Sequence, residues 1–408
     1  MTSEPTSAYV WIWLPGATDP VVCGRLDRVD DRIAFVYARS YLESSHAVPI
    51  YDSELPLKSG YQYPASAQTR GVPLCIDDAM PDSWGRRLVN HRLGELMVEF
   101  GDLTYLLESG SDRIGALDFQ ASADHYQPRE VTDATLDELA TASNRIETGR
   151  PLTASLEAAL LRGTSIGGAR PKAIIEDDDR KLIAKFSSTT DTYPVVQGEF
   201  VAMELARRVG LDVARVELAT AAGRYALLIE RFDRTPAGDR RRLVSALTIL
   251  GLTSFPEGRY ASYTDLTHRI RARFNDPTAT LRELFGRIAF NMMCGNTDDH
   301  ARNHAAFVDD ALELTPAYDI CPQARSGETA EQAMAYDENG NRDARLALLV
   351  EAAELYLLDR NEAREIVDAQ ETTIRGQWSD VCDIAKLTTV ERDRFWERQF
   401  LNPHTFET

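Results

Sequence analysis

The chain has 408 residues, enough for two or three domains, and its 43% hydrophobic and 27% charged residues are typical of packed globular cores. Its 45 basic and 64 acidic residues give a formal charge of −19, which repels nucleic acid and anionic membranes and disfavours direct DNA binding by this chain alone. No apolar run approaches the roughly 18 to 20 residues that cross a bilayer, and no basic leader opens the sequence, so we expect a cytoplasmic protein without membrane contact.

The first 130 residues predict a region of mixed structure. YVWIWL and IAFVYA have the apolar composition of strands, and a helix is predicted within SWGRRLVNHRLGELMVEF at 83–100, with Asp82 at its entry. A polar stretch at 121–150 follows this region. We therefore place a domain boundary in that stretch.

The segment 150–235 predicts a small antiparallel sheet with a single helix. KAIIE and KLIAKF bracket the polar turn DDDR, and ARVELAT and RYALLIERF bracket AAG, so each pair reads as a hairpin. Between the hairpins, QGEFVAMELARRVG places Val201, Leu205 and Val209 on one apolar face, and Gly210 stands where a C-terminal cap is expected.

The remaining segment, 236–408, predicts a mainly helical lobe, which makes the whole chain α+β. LRELFGRIAFNMMC forms an apolar helical stripe that ends at Gly295, and the strand-like AAFV and ALEL follow shortly afterwards. The polar, glycine- and asparagine-containing run at 325–345 predicts a mobile loop.

The polar loop GNTDDHARN, residues 295–303, carries the pattern of a phosphoryl-transfer site. Asp298 and Asn303 have the D-x-x-x-x-N spacing that kinases use for the base and a metal ligand. Asp319 follows sixteen residues later, where a kinase places its second metal-binding aspartate, and Lys185 closes the strand KLIAKF as a phosphate-binding lysine does. Since Mg²⁺ prefers oxygen ligands, this order indicates phosphate transfer from ATP.

Four motifs, SIGGARPKA, LIERFDR, GNTDDHARN and LTPAYDI, resemble those of the HipA family of bacterial serine/threonine kinases, the toxins of type II toxin–antitoxin pairs. MPDSWGRRLVNHRL and DLTYLLESGSDRIGAL look like the family's N-terminal region, so the resemblance covers nearly the whole chain. It implies a kinase-like bilobal fold and an ATP- and Mg²⁺-dependent protein kinase that acts on a translation component such as an aminoacyl-tRNA synthetase. It also implies a helix-turn-helix, HipB-like antitoxin as the partner that contacts DNA.

The resemblance also implies roles for individual residues. Asp298 would be the catalytic base, Asn303 and Asp319 the Mg²⁺ ligands, and Ser165 the serine whose autophosphorylation inactivates family members. The implied nucleotide contacts come from the phosphate loop, the strand lysine, the adenine hinge and a residue lining the site: Gly167, Gly168, Ala169, Arg170, Lys172, Lys185, Glu230, Phe232 and His300. The G-x-G-x-x-G, H-R-D and D-F-G motifs of ordinary protein kinases are missing from this chain.

The residues of the polar loop also have plainer interpretations. Asp298 is a good cap for a helix that starts near Ala301, and Asp299 fits a solvated or capping role as well as a functional one. His300 and His304, four residues apart, are compatible with a zinc site. Alternatively, His304 is a packed or solvent-facing side chain.

Other candidates are ambiguous in the same way. Ser165 fits an ordinary turn serine, and Lys172 fits a solvated lysine. Glu199 is a candidate partner of the strand lysine, but Glu204 lies on the same predicted helix. The run DRRRL at 239–243 is typical of a solvated face.

Three other functions stay open at this point. The first is a catalytically silent, kinase-shaped subunit that serves as a corepressor or antitoxin sink, and the intact catalytic residues argue against it. The second is a metal-dependent phosphohydrolase centred on His300 and His304, which would not require the distant Asp319. The third is a small-molecule phosphotransferase, which the family motifs of the N-terminal region disfavour.

Overall fold

The computed structural model describes residues 4–30, 32–64, 71–95, 98–129, 134–161, 170–177, 180–253, 257–325 and 327–407. Its backbone divides into two compact units. Unit 1 comprises Met1–Thr189, Thr220–Arg224 and Arg231–Val244, and unit 2 comprises Thr190–Ala219, Tyr225–Glu230 and Ser245–Thr408. The predicted regions 1–130, 150–235 and 236–408 divide the chain more finely and stay predictions.

Unit 1 contains a four-stranded antiparallel sheet in the order β3-β2-β1-β4. Its strands are β1 (Ser7–Ile12), β2 (Val21–Val29), β3 (Arg32–Tyr37) and β4 (Leu117–Gln120). Val10 of β1 lies opposite Gly24 and Phe119, and its side chain is fully buried, as is that of Phe119. The predictions for β1 and β3 are confirmed. β2 and β4 were missed, because charged residues interrupt β2 and β4 is only four residues long.

Six helices lie in the described residues of unit 1. They are α1 (Arg39–Leu42), α2 (Leu74–Asp77), α3 (Ser83–Leu93), α4 (Asp102–Glu108), α5 (Leu136–Glu147) and α6 (Ala154–Leu161). Asp82 caps α3 by accepting a hydrogen bond from the Gly85 N–H at 2.9 Å. The helix ends at Gly94, whose φ is 73°, and is therefore shorter than the predicted segment. The polar stretch 121–150 is no plain linker, because it contains α5.

The first predicted hairpin is confirmed in unit 1. β5 (Lys172–Asp177) pairs antiparallel with β6 (Arg180–Phe186), and the register places Lys172 directly opposite Lys185. The short strand β9 (Leu243–Ser245) begins in the last segment of this unit, which ends at Val244.

The predicted helix between the hairpins is α7 (Val195–Arg208), in unit 2. Val201 and Leu205 are fully buried, as their spacing predicts, and Gly210 follows the helix with a φ of 92°. The second hairpin is also confirmed and consists of β7 (Val216–Ala221) and β8 (Arg224–Glu230).

The rest of unit 2 is mainly helical, as predicted. Its helices are α8 (Ala246–Leu250), α9 (Tyr263–Arg273), α10 (Pro277–Cys294), α11 (Leu346–Glu351), α12 (Arg360–Ile384) and α13 (Thr389–Phe395). Two short antiparallel strands, β10 (Ala305–Val308) and β11 (Leu312–Leu314), follow the polar loop. α10 forms the centre of this unit, because nearly all its residues from Leu281 to Cys294 are buried.

The prediction of a mobile loop at 325–345 is wrong. Met334 and Tyr336 in this segment are buried, with 2% and 0% of their surface exposed. The hydroxyl of Tyr356 donates to the Tyr336 carbonyl at 2.8 Å, and that of Tyr336 donates to the Asp343 carbonyl at 2.7 Å. The run therefore contains buried, hydrogen-bonded residues around Met334 and Tyr336 despite its polar composition.

Of the helices in the described part of the chain, none combines the length and apolar character that a membrane span requires. The cytoplasmic location stays a prediction.

Candidate functional site

The polar loop begins where α10 ends, at a position that only glycine fits. Gly295 has a φ of 72°, and a Cβ atom there would lie 2.7 Å from the carbonyl oxygen of Gln399. Both the left-handed backbone and the close approach of the C-terminal segment exclude a side chain. The departure of the loop from the helix is therefore fixed in direction.

Asp298 presents its side chain to solvent while its backbone is held in place. Its carbonyl oxygen accepts hydrogen bonds from the His300 N–H at 2.9 Å and from Nδ2 of Asn303 at 3.2 Å. The capping interpretation is wrong: Ala301–Asn303 is a single 3₁₀ turn whose cap position is His300, without a side-chain capping bond. The structure thus joins the two ends of the D-x-x-x-x-N motif and leaves the Asp298 carboxylate exposed.

Asp299 is a buried residue of the polar loop, and its carboxylate makes several hydrogen bonds. Its Oδ2 accepts from Nδ2 of Asn291 at 2.7 Å and from the Tyr263 hydroxyl, and lies 2.9 Å from Nε2 of His304. Burial raises the pKa of the Asp299 carboxyl, but the charge and hydrogen bond of His304 and the Tyr263 hydrogen bond lower it by more, so it stays below its usual range. The solvated and capping interpretations of Asp299 are both wrong, whereas the packed interpretation of His304 is confirmed.

The histidines do not form the metal site considered from the sequence. His300 is exposed, and His304 is buried against Asp299. Within the described ranges, no group of three or more histidine, cysteine, aspartate or glutamate side chains is placed to hold a metal ion. The zinc interpretation and the phosphohydrolase built on it therefore have no structural support.

Asp319 has an unusual backbone conformation. Its φ is 60°, in the left-handed region of backbone conformation that residues other than glycine seldom adopt. The residue before it, Tyr318, donates a hydrogen bond from its hydroxyl to the Arg302 carbonyl of the polar loop at 2.7 Å. Ala317 exchanges backbone hydrogen bonds of 2.8 and 2.9 Å with Asp212 and Ala214. Strain of this kind persists only where neighbouring contacts enforce it, and it is common at functional sites.

A buried arginine that sequence reasoning missed holds the same region together. The guanidinium of Arg287 in α10 donates to the Glu283 carboxylate at 2.8 Å and to the carbonyls of Asp212 and Thr315 at 3.1 and 2.9 Å. It therefore links α10 to the segments before β7 and after β11. The signal in the sequence was the second of the two arginines in LRELFGRIAF, which directly precedes the apolar residues Ile288, Ala289 and Phe290.

The two lysines of the first hairpin lie in unit 1. Lys185 is 9% exposed on β6, and Lys172 opposite it is fully buried. The solvated interpretation of Lys172 is wrong, because its Nζ lies 3.1 Å from Oδ2 of Asp82. Burial raises the pKa of Asp82 above its usual value, although the lysine charge opposes this. Lys172 therefore has an internal carboxylate partner, and its implied role in the phosphate loop stays a prediction.

The phosphate loop itself is only partly within the described residues. Ser165, Gly167, Gly168 and Ala169 lie outside them, and their implied roles stay predictions. Arg170 is described and is half-buried.

The hinge motif LIERFDR contains a buried charge cluster that the sequence did not reveal. Arg231 and Arg234 each bind Asp112 and Asp233, at N···O distances of 2.8 to 2.9 Å. Oδ2 of Asp233 also accepts from the Gly115 N–H at 2.7 Å. Burial raises the pKa of Asp233, but the two arginine charges lower it by more, so the carboxyl is held below its usual range. Glu230 and Phe232, the predicted adenine hinge, are half-buried. In the sequence they alternate with Arg231 and Asp233, which belong to the cluster.

The arginine run at 239–243 and the glutamates of α7 make contacts that the sequence did not predict. The arginine run at 239–243 is no solvated face: Cζ of Arg240 lies 3.4 Å from the Trp13 ring centroid, and Arg242 donates to the Pro49 carbonyl at 2.6 Å. On α7, Glu204 pairs with its helical neighbours Arg207 and Arg208 at 2.7 and 2.8 Å. Glu199 is buried, and its pairing with Lys185 stays a prediction.

Comparison with known protein families decides the identity of this architecture. The HipA-like C-terminal domain matches residues 164–378, more than half of the chain, and the HipA N-terminal domain matches residues 16–120. The chain belongs to the HipA family. This HipA-family protein is 28% identical over 325 residues to Y4mE of Sinorhizobium fredii, a candidate kinase, and the match covers 72% of this chain and 73% of Y4mE.

A second relative is the serine/threonine-protein kinase toxin HipA of Shewanella oneidensis, 28% identical over 204 residues, with 43% of this chain and 47% of the toxin covered. Among solved structures, HipA of Shewanella oneidensis MR-1, in complex with HipB and its operator DNA, matches with a TM-score of 0.64 and 19% identity. That match covers 95% of this chain and 98% of the solved one. The predicted α+β, kinase-like fold is thereby confirmed, and the chain is a member of a family that includes proteins named as kinases.

Proposed function

We propose that this HipA-family protein is an ATP- and Mg²⁺-dependent protein serine/threonine kinase of the HipA toxin type. The observation that carries the proposal is the geometry around the polar loop. An exposed Asp298 carboxylate is mounted on a backbone that Asn303 fixes, and the strained Asp319 is held beside the same loop by Tyr318. Kinases require this combination of base and metal ligands.

The donor set of the site fits Mg²⁺. Nδ2 of Asn303 is used in the hydrogen bond to the Asp298 carbonyl, so Oδ1 is the amide atom left to bind a cation. Asp319 contributes carboxylate oxygens, and oxygen ligands of this kind are those that Mg²⁺ takes in phosphate-transfer sites. When bound with ATP, Mg²⁺ would neutralise charge on the phosphates and hold them for transfer.

The residues of the chain would then have distinct tasks. Asp298 orients the serine or threonine hydroxyl of the substrate and accepts its proton as the oxygen bonds to the γ-phosphorus and the bond to the ADP oxygen breaks. Lys185 and the loop 167–172 would hold the phosphates, as the family resemblance implies. Glu230 and Phe232 would hold adenine, and His300 would line the nucleotide site.

The family resemblance also supports a substrate and a partner. We propose a translation component such as an aminoacyl-tRNA synthetase as the substrate, and autophosphorylation on Ser165 as the inactivating step. The solved Shewanella HipA is bound to HipB and operator DNA. With a net charge of −19, this chain is suited to a basic, HipB-like partner that supplies the DNA contacts itself.

Phosphate mapping tests the proposed chemistry. The purified chain is incubated with ATP and Mg²⁺, and phosphorylated residues are located by mass spectrometry in the wild type, Asp298→Asn and Asp310→Asn. Asp310 is an exposed carboxylate on the turn between β10 and β11, so its variant controls for loss of surface charge in the same region. We expect phosphate on Ser165 in the wild type and in Asp310→Asn, and a loss of at least about a hundredfold in Asp298→Asn, the range for a general base.

Two outcomes would contradict the proposal. If the wild type neither binds nor consumes ATP, the chain is a silent subunit of the family. If phosphate transfer is equal in Asp298→Asn and the wild type, Asp298 is not the base.

A further inference from the structure

Helix α3 of unit 1 contacts the first strand of the hairpin β5–β6. The indole N–H of Trp84, the second residue of α3, donates to the carbonyl of Lys172 at 3.1 Å. Oδ2 of Asp82, the residue that caps α3, lies 3.1 Å from Nζ of the same lysine. Trp84 is 1% exposed, and Lys172 is fully buried. The main chain and the side chain of Lys172 are therefore both bound to α3 and its cap.

The pairing of β5 with β6 extends this contact to Lys185. Lys172 lies directly opposite Lys185, and the Phe186 N–H donates to the Pro171 carbonyl at 2.9 Å. Because hydrogen-bonded and non-hydrogen-bonded pairs alternate along an antiparallel ladder, the two lysines form a non-hydrogen-bonded pair, in which each carbonyl points away from the partner strand. The Lys172 carbonyl is thus directed to Trp84, and both lysine side chains leave the same face of the hairpin.

The Asp82 carboxylate compensates one of two like charges on this face. Like charges directly opposite each other in a sheet repel, and the repulsion is stronger in buried surroundings, which screen charge less than water does. Lys172 is fully buried, and Lys185 is 9% exposed. The position of Asp82 therefore draws the Lys172 ammonium towards α3 and reduces its repulsion of Lys185.

The same helix also contacts the element that precedes the implied phosphate loop. Nδ1 of His91, near the C-terminal end of α3, lies 2.9 Å from Oε1 of Glu157 in α6. α6 packs against both α3 and β5. The chain leaves α6 at Leu161 and returns to the described ranges at Arg170, two residues before Lys172. The elements on both sides of the implied phosphate loop are therefore held by α3.

We propose that Trp84 and Asp82 are positioning residues for the phosphate groups of ATP, because they fix Lys172 and, through its pairing, place Lys185. The inference rests on the kinase function proposed above and gives the N-terminal region a task in that function. Neither residue needs to touch the nucleotide, since both act through the hairpin. The adenine end of the nucleotide, assigned above to the hinge motif, would not depend on them.

Calorimetric titration with two ligands tests the inference. ATP with Mg²⁺ reports contacts to the phosphates, whereas adenosine has no phosphates and reports the rest of the nucleotide site. Trp84→Phe removes the indole N–H and keeps an aromatic ring. We expect it to weaken ATP binding about three- to tenfold, the range for one lost hydrogen bond, and to leave adenosine binding unchanged. A purely structural defect would instead weaken the binding of both ligands alike.

Trp13→Phe is the matched control. The Trp13 indole N–H also donates to a carbonyl, that of Thr18 at 2.9 Å, and Trp13 is buried in the same unit. This variant should bind both ligands as the wild type does, and thermal unfolding shows whether each variant is folded. Equal weakening of ATP binding in the two phenylalanine variants would overturn the inference.

Asp82→Asn provides an independent measurement if Trp84→Phe does not fold. Asparagine still caps a helix, so this variant chiefly removes the charge beside Lys172, and ATP alone should bind several-fold more weakly. Tighter ATP binding would mean that Asp82 competes with the phosphates for Lys172, contrary to the inference.

The wild type separates the two proposals. If it binds ATP and both variants match it, the positioning role is refuted and the kinase proposal survives. If the wild type binds no ATP, both proposals fail.

Discussion

Asp298 and Asp299 are neighbours in the sequence with opposite environments. Asp298 is exposed, whereas Asp299 is buried and bound by Tyr263, Asn291 and His304. The motif spacing identified Asp298 and Asn303 as a pair, because both lie within nine residues of sequence. It could not separate the exposed from the buried aspartate, since Tyr263 is 36 residues away from Asp299 and its contact depends on tertiary packing.

The buried, hydrogen-bonded carboxylate of Asp299 predicts acid sensitivity. Because the pKa of Asp299 is lower in the folded state, its contribution to stability is complete above the unfolded value of about 4 and is lost as pH falls below it. Asp299→Asn should lower the free energy of unfolding at pH 7 by about 1 to 3 kcal/mol, since it removes the charged carboxylate that accepts hydrogen bonds from Asn291 and Tyr263. The loss should become smaller near pH 3.

Chemical denaturation of the wild type and Asp299→Asn at pH 7 and pH 3 measures this. Asp310→Asn serves as the exposed control, with an expected change below about 0.5 kcal/mol. Equal stability of wild type and Asp299→Asn at pH 7 would show that the charge of the Asp299 carboxylate contributes nothing to stability.

At the scale of elements, α10 and the hairpins were predictable from the sequence, and several other elements were not. Apolar periodicity and a terminal glycine were enough to locate α10, and two strands around a short polar turn were enough for each hairpin. The prediction for the segment 325–345 was wrong because the contacts that order it come from residues distant in sequence, as in the bridge between Ser262 and Ala335. Composition reports local preference and carries little information about such pairings.

The end of α10 predicts a stability difference between two glycines of similar conformation. Gly295 and Gly251 are both helix C-caps, with φ of 72° and 75°, but a Cβ on Gly251 would have no atom within 4 Å. Gly251→Ala should cost about 1 kcal/mol for the left-handed backbone alone. Gly295→Ala should cost at least about 2 kcal/mol more, because the alanine Cβ would collide with the Gln399 backbone.

Thermal and denaturant unfolding of the two alanine variants checks this difference. Both variants lose the same free energy for the left-handed backbone. The difference between their losses of unfolding free energy therefore measures the packing of the C-terminal segment against α10. Equal losses in both variants would mean that this segment moves aside without cost.

At the scale of the whole molecule, the chain enters unit 1 three times, and the last entry is at Arg231–Val244. The buried charge cluster links the segment Arg231–Val244 to the earlier part of unit 1. Asp112 and Gly115 bind residues of the LIERFDR motif that lie more than 100 residues later in the sequence. The sequence showed two charged motifs but no sign that they meet. Contacts across that separation depend on the path of the chain, which one sequence does not contain.

The cluster predicts that Asp233→Asn is strongly destabilising. It would leave Arg231 and Arg234 buried with one carboxylate between them, at a cost of about 3 to 5 kcal/mol in the free energy of unfolding. Asp52→Asn, at an exposed carboxylate of the same unit, is the control and should be neutral. Urea titration followed by circular dichroism compares the two variants, and a loss below about 1 kcal/mol in Asp233→Asn would show that the cluster is dispensable.

The network beneath Asp299 has a thermodynamic consequence for ligand binding. Asn291, Tyr263 and His304 all belong to unit 2, so the polar loop is held by contacts that form when this unit folds. The conformational entropy of the loop is therefore lost during folding and, under the kinase function proposed above, not when nucleotide arrives. Nucleotide association should carry little ordering penalty from residues 295–303, and a variant that loosens this foundation should weaken association chiefly through a less favourable entropy.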